Sequence, residues 1–211
     1  MKLAYIIGVV LCMAMLASSP VAGTAQDTWY CISGNNGGTF NGYNWTGTTW
    51  QADTTISGGL GDVGGTYSSP TVFQMGTTWY CISGNHDGTF KGYNWTGTTW
   101  QADATISSGF GSIGAYYSSP TVFQMGTTWY SISGTYDGTF KGYNWTGTTW
   151  QADTTISGGL GDVGLVSVPT VFQMGTTWYC ISGNNDGTFK GYNWTGTTWQ
   201  ADTTISGGLG D

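Results

Sequence analysis

Residues 77–106 read TTWYCISGNHDGTFKGYNWTGTTWQADATI, and the chain carries this stretch in four near-identical copies. Trp29, Trp79, Trp129 and Trp178 head the copies, at spacings of 50, 50 and 49 residues. A fixed period of this length marks a repeat architecture. In the second copy, four runs rich in Thr, Val, Tyr, Trp and Phe predict strands at Thr71–Gln74, Thr78–Ser83, Thr89–Trp95 and Thr99–Ile106. Such residues suit a pleated, half-buried surface. Met75-Gly76, Asp87-Gly88 and Thr96-Gly97 separate the runs, and Asp-Gly predicts a type I′ hairpin. In the last run Trp100, Ala102, Ala104 and Ile106 alternate with polar residues, which predicts one buried face. A Gly-rich connector, 107–119, then leads to Pro120 at the start of the next copy.

One copy is therefore a four-stranded meander. Alone it would leave its aromatic faces in water, so each copy needs neighbours stacked against it. The expected fold is all-β, a β-propeller of four tandem four-stranded antiparallel blades. A parallel β-solenoid is the rival, but tight hairpins favour the propeller. The blades are expected at 26–66, 67–116, 117–166 and 167–211. The first copy lacks a run matching Pro70–Gly76, so the first blade is expected to be incomplete, with an exposed edge inviting self-association. The strand that would complete it is expected past Asp211, in a segment of a longer ring or a truncated reading frame.

Residues 1–25 differ in kind. Lys2 precedes an apolar run, Leu3–Ala17, and Gly23-Thr24-Ala25 fits a small-x-small cleavage site. The run is short for a bilayer span. It predicts a secretory signal peptide and a secreted or cell-surface product, with no membrane span after cleavage.

Composition narrows the chemistry. Charged residues are 7% of the chain against a usual ~25%, and aromatics are 16%, so a packed rather than disordered chain is expected. A formal charge of −7 and four Lys with no Arg exclude a phosphate-neutralising stripe, so no nucleic-acid partner is expected. Glu is absent and His86 is the single His, which leaves general acid–base and nucleophilic schemes only repeated Asp. Cys31, Cys81 and Cys180 share one repeat slot, with Ser131 in the third copy. Buried thiols, not a disulfide or metal cluster, are expected there. The turns Asn85-His86-Asp87-Gly88, Thr135-Tyr136-Asp137-Gly138 and Asn184-Asn185-Asp186-Gly187 hold one Asp each, too few ligands for a calcium loop. No metal or cofactor is expected.

Three Trp fall in each copy. Trp79 and Trp100 are expected between blades, whereas Trp95, near a hairpin end, is the candidate for an exposed face. The candidate ligand patch is Tyr43, Asn44 and Trp45; Tyr93, Asn94 and Trp95; Tyr143, Asn144 and Trp145; and Tyr192, Asn193 and Trp194. Exposed aromatic rings stack on sugar C–H faces. Asn44, Asn94, Asn144 and Asn193 each open an Asn-Trp-Thr glycosylation acceptor motif.

The segment Ile82-Ser83-Gly84-Asn85-His86-Asp87-Gly88-Thr89-Phe90-Lys91-Gly92-Tyr93-Asn94-Trp95-Thr96-Gly97 resembles FG-GAP/VCBS-type propeller repeats, in all four copies. That resemblance implies a secreted or surface propeller used in adhesion or recognition. The sequence departs from the pattern where many such repeats place an Asp-rich calcium segment, reading Gln-Met-Gly-Thr-Thr at 74–78. Aromatic-rich lectin propellers of the tachylectin type are a looser resemblance. The reading is an exported, non-catalytic repeat protein that binds a surface glycan or protein ligand multivalently. A structural cell-envelope component without a soluble ligand is the alternative, and a polysaccharide-acting enzyme is a lesser one.

Overall fold

The structure is a computed structural model and describes residues 12–15, 29–64, 66–114 and 117–209. Of the leader expected at 1–25, all but 12–15 lie outside the described residues. The first sheet contains β1 (Cys12–Met15), β2 (Trp29–Gly34), β3 (Phe40–Trp45) and β4 (Trp50–Ala52). The second contains β5 (Ser69–Met75), β6 (Thr78–Gly84), β7 (Phe90–Trp95) and β8 (Trp100–Ala102). The third contains β9 (Ser119–Met125), β10 (Thr128–Gly134), β11 (Phe140–Trp145) and β12 (Trp150–Ala152). The fourth contains β13 (Val168–Met174), β14 (Thr177–Gly183), β15 (Phe189–Trp194) and β16 (Trp199–Ala201). Each sheet is an antiparallel meander in sequence order, and the four blades form a β-propeller.

First strands pack on first strands, β1 on β5, β5 on β9 and β9 on β13, so they form the inner side of the propeller. Last strands lie outside, and Trp100, Trp150 and Trp199 at the starts of β8, β12 and β16 reach the connector of the preceding blade. Among the described residues, no comparable packing joins the fourth sheet to the first. The core is therefore three layers between blades. One holds Ile32, Phe40 and Val63 of the first blade against Cys81, Tyr93 and Trp100 of the second. The next sets Phe73, Ile82 and Ile106 against Tyr143 and Trp150. The last sets Phe123, Ile132 and Ile156 against Cys180, Tyr192 and Trp199. Burying a large aromatic removes about 150–250 Å² from water, so these indoles and phenols dominate each junction.

Three expectations are corrected. The first blade is not short of a strand: Cys12–Met15, inside the expected leader, pairs with β2 in the register Cys12↔Ile32 to Met15↔Trp29. The edge of β2 offers unpaired backbone N–H and C=O groups, and a short extended segment satisfies them whatever its side chains. The fourth run is also shorter than the alternation predicts, ending at Ala102. Asp103 stops it: its backbone N–H donates to Gly92 O and its carboxylate accepts from Thr105 N. In the third and fourth blades the equivalent aspartates, Asp153 and Asp202, cap single helical turns, α1 (Thr154–Ser157) and α2 (Thr203–Ser206). Ile106 and Ile156 consequently reach the core from a turn rather than a strand. Finally, the Asp-Gly hairpin is not type I′, because Gly88 takes a positive φ (74°) and Asp87 does not. Asn85 N donates to Thr89 O and Gly88 N to Asn85 O, the longer loop in which one left-handed residue closes the turn.

Candidate functional site: an aromatic rim

The Tyr-Asn-Trp triplets do not form one patch. A strand has period two, so Tyr93 and Trp95 point to one face of β7 and Asn94 to the other. Tyr93, Tyr143 and Tyr192 are buried between blades. Their hydroxyls donate to the preceding connector, at Gly61 O (3.1 Å), Phe110 O (3.0 Å) and Gly161 O (3.4 Å). Burial pushes the Tyr93 and Tyr143 phenols up to about 12 and raises Tyr192. Burial thus takes these three tyrosines out of any ligand patch. Tyr43, on the first blade, is half-buried. Trp45, Trp95, Trp145 and Trp194 are half-buried and tilt against Trp50, Trp100, Trp150 and Trp199 across the hairpin, at centroid distances of 5.2–5.4 Å. Asn44, Asn94, Asn144 and Asn193 are half-buried next to last in their strands, opposite Gln51, Gln101, Gln151 and Gln200.

The shared Cys slot lies in the same layers. Cys31, Cys81 and Cys180 are buried and form no disulfide, and burial pushes Cys180 up to about 12. Ser131 occupies the slot with a buried hydroxyl that has no hydrogen-bond partner. Among the described residues, no three His, Cys, Asp or Glu side chains gather closely enough to hold a metal ion. The loop aspartates serve local structure. Asn85 organises its loop by accepting from Asp87 N and Thr89 N, while its amide donates to Val63 O of the preceding blade. Thr135 replaces that Asn in the third blade, and there the Asp137 carboxylate accepts from the Thr135 and Thr139 hydroxyls. Those bonds hold the Asp137 carboxyl below its ordinary range.

A different set of rings converges at one end of the inner strands. Ser69 Oγ and Ser119 Oγ lie 2.9 Å apart, setting the starts of β5 and β9 side by side. Two residues upstream, the rings of Tyr67 and Tyr117 stand 4.7 Å apart. His86, from the β6–β7 loop, stacks on Tyr67 at 6.0 Å and meets Tyr117 edge-on at 5.5 Å. Tyr136, from the equivalent loop of the third blade, stacks on Tyr117 at 5.9 Å and 16°. Tyr136 is 38% exposed, and the other three rings are half-buried. The result is a ladder of four aromatic rings from two connectors and two loops.

The backbone beneath the ladder is strained. Tyr67 (φ 62°), Tyr117 (φ 69°) and Val166 (φ 61°) all sit in the left-handed region at equivalent connector positions. Bulky side chains there cost about 1–2 kcal/mol each. Hydrogen bonds on both sides hold them: Tyr67 N donates to Asn36 O, and His86 N donates to Thr66 O. Tyr117 N likewise donates to His86 O and Val166 N to Tyr136 O. Strained residues of this kind collect at ligand sites more than elsewhere. The sequence held a signal for this site. At the loop position the copies carry Asn36, His86, Tyr136 and Asn185, so a ring stands there in the second and third copies alone, and at the connector position Tyr67 and Tyr117 give way to Val166. The fourth blade, with Val166 and Asn185, adds no ring.

No protein-family model matches the sequence, and no curated protein sequence matches it. Solved structures do resemble the fold. A Bacteroides ovatus protein described as Xyloglucan PUL GH43B is 14% identical, with a TM-score of 0.62 over 92% of this chain and 40% of the other. The Aleuria aurantia lectin in complex with Fucalpha1-6GlcNAc is 12% identical, with a TM-score of 0.54 over 84% of this chain and 60% of the lectin. The SapL1 lectin in complex with alpha methyl fucoside is 14% identical, with a TM-score of 0.55 over 93% of this chain and 64% of the lectin. The chain thus spans between two-fifths and two-thirds of the length of these proteins. At such identities the likeness establishes the propeller fold, and the FG-GAP/VCBS resemblance finds no matching family model.

Proposed function

We propose that the protein is an exported carbohydrate-binding propeller whose ligand rests on Tyr67, His86, Tyr117 and Tyr136. The observation that carries this reading is the aromatic ladder, part-exposed and held on strained backbone. Aromatic faces present polarised π-clouds that suit the C–H faces of sugar rings. Solved lectins of like fold are in complex with Fucalpha1-6GlcNAc and with alpha methyl fucoside, which adds to the reading. Residues 1–25 read as a leader, which supports export; cleavage after Ala25 would remove β1 and leave the edge of β2 open.

The proposed role is binding rather than turnover. A glycosidase sets two facing carboxyl groups across the scissile bond, whereas the ladder is built from the rings of Tyr67, His86, Tyr117 and Tyr136. The ladder also alters the expected valency. It is built once, across the second and third blades, so binding at one composite site replaces four equal ones.

A glycan array probed with the purified chain, followed by calorimetry on the retained glycans, tests the proposal. Tyr117→Ala, at the centre of the ladder, is expected to weaken binding about fivefold, while Trp95→Ala leaves it within about twofold, as each stacked ring contributes ~1 kcal/mol. No retained glycan, or an unchanged affinity in Tyr117→Ala, would contradict it.

A further inference from the structure

All three junctions between blades use the same two faces. The leading face of each later blade brings a Trp, buried to 6%, 1% and 2% at Trp100, Trp150 and Trp199. Its indole N–H donates to the preceding blade at Ile56 O (2.9 Å), Ile106 O (2.8 Å) and Ile156 O (2.8 Å). Its backbone N–H donates to Gly58 O, Ser108 O and Gly158 O, each at 2.9 Å. The trailing face supplies a Phe and a close-approach glycine. A Cβ on Gly59, Gly109 or Gly159 would lie 1.9 Å from that Trp's carbonyl oxygen.

Among the described residues, one leading and one trailing face have no partner blade. On the first blade, Trp50 is half-exposed where its equivalents are buried. On the fourth, Phe189 is 42% exposed where Phe40 and Phe140 are 9%. Leu209 is 45% exposed where Phe110 is 4%. A Cβ on Gly208 meets nothing within 4 Å, although its three equivalents are crowded. These faces carry the same residues, in the same places, as the faces already joined three times within the chain.

We propose that the trailing face of the fourth blade docks the leading face of the first blade in a second copy of this chain. By equivalence with the internal junctions, Trp50 Nε1 of the second copy donates to Ile205 O, and Trp50 N to Gly207 O. The contact joins unlike faces, so it is head-to-tail and generates a closed ring or a growing chain of copies. Asn41 stands where Lys91 and Lys190 reach the preceding connector at Asp62 O and Asp162 O, so this junction has one hydrogen bond fewer than those two.

Light scattering on the purified chain tests this with two substitutions at exposed positions, Thr49→Arg on the leading face and Phe189→Asp on the trailing face. The unsubstituted chain is expected to run at twice the monomer mass or more. Each variant alone is expected to run as a folded monomer, checked by its far-ultraviolet circular dichroism. Mixed in equal amounts, the two variants are expected to recover a dimer, since each retains the face the other has lost. A monomeric unsubstituted chain would overturn the proposal and give the faces to another occupant. Oligomers untouched by either substitution, or a mixture that stays monomeric, would overturn it equally.

Discussion

At the scale of single residues, the repeat supplies its own controls. Ser131 fills a slot that three other blades give to Cys, and its buried hydroxyl has no partner. An unsatisfied buried polar group costs about 1–3 kcal/mol. Ser131→Cys is therefore expected to stabilise the protein by about 1–2 kcal/mol in urea unfolding; a variant of equal or lower stability would show that the hydroxyl is not penalised. Val166 is the second case. It is β-branched and left-handed (φ 61°), and it carries no ring of the ladder. Val166→Gly is expected to raise stability by about 1 kcal/mol without altering glycan affinity. Loss of stability would mean that the flanking hydrogen bonds do not hold the strained backbone as described. Neither position stood out in the sequence as a site, because a buried serine and a strained valine have no periodic signature. Tyr67 and Tyr117 were hidden for the same reason: positive φ is expected of glycine, and nothing in Thr-Tyr-Ser or Tyr-Tyr-Ser announces it.

At the scale of elements, the strands were legible where alternation and turn residues agreed. β6 and β7 match the runs Thr78–Ser83 and Thr89–Trp95 within a residue at each end. The fourth run misled because Ile106 is buried at the spacing a strand would give, yet reaches the core from the turn after Asp103. β1 was illegible for a different reason. Its residues read as part of a leader, and strand pairing through backbone groups leaves little mark on side-chain pattern. Close approach between elements is likewise invisible in one copy but measurable across copies. Gly109 has φ 88° and a Cβ there would meet Trp150 O, whereas Gly208 has φ 81° and open space. Gly109→Ala is expected to cost about 3 kcal/mol or more, and Gly208→Ala about 1 kcal/mol. Thermal unfolding in the Thr49→Arg background, which keeps the end face open, measures both. Equal costs would contradict the packing assigned to the blade junctions.

At the scale of the whole molecule, the junctions tie stability to pH. Tyr93, Tyr143 and Cys180 are pushed up to about 12 by burial, from ordinary values of 10.0 and 9.0, and Tyr192 is raised. In the unfolded chain these groups ionise first. The stability they support is complete below pH 9.0, declines as the unfolded thiol and phenols ionise, and is lost above about 12. The urea midpoint is therefore expected to fall across that window, and a level profile would contradict interblade burial. The architecture itself followed from the period and from aromatic runs that cannot shelter themselves. The site did not, because it is assembled from connectors and loops distant in sequence, two rings from one repeated connector position and two from a loop position where the copies differ. Repetition explains the scaffold, and His86 and Tyr136 complete the rim. The most direct test of that rim is a crystal structure of the chain soaked with a glycan it binds. The account predicts the sugar ring lying on Tyr67, Tyr117 or Tyr136; a sugar lodged in a groove beside Trp95 and its repeats, with the ladder bare, would contradict it.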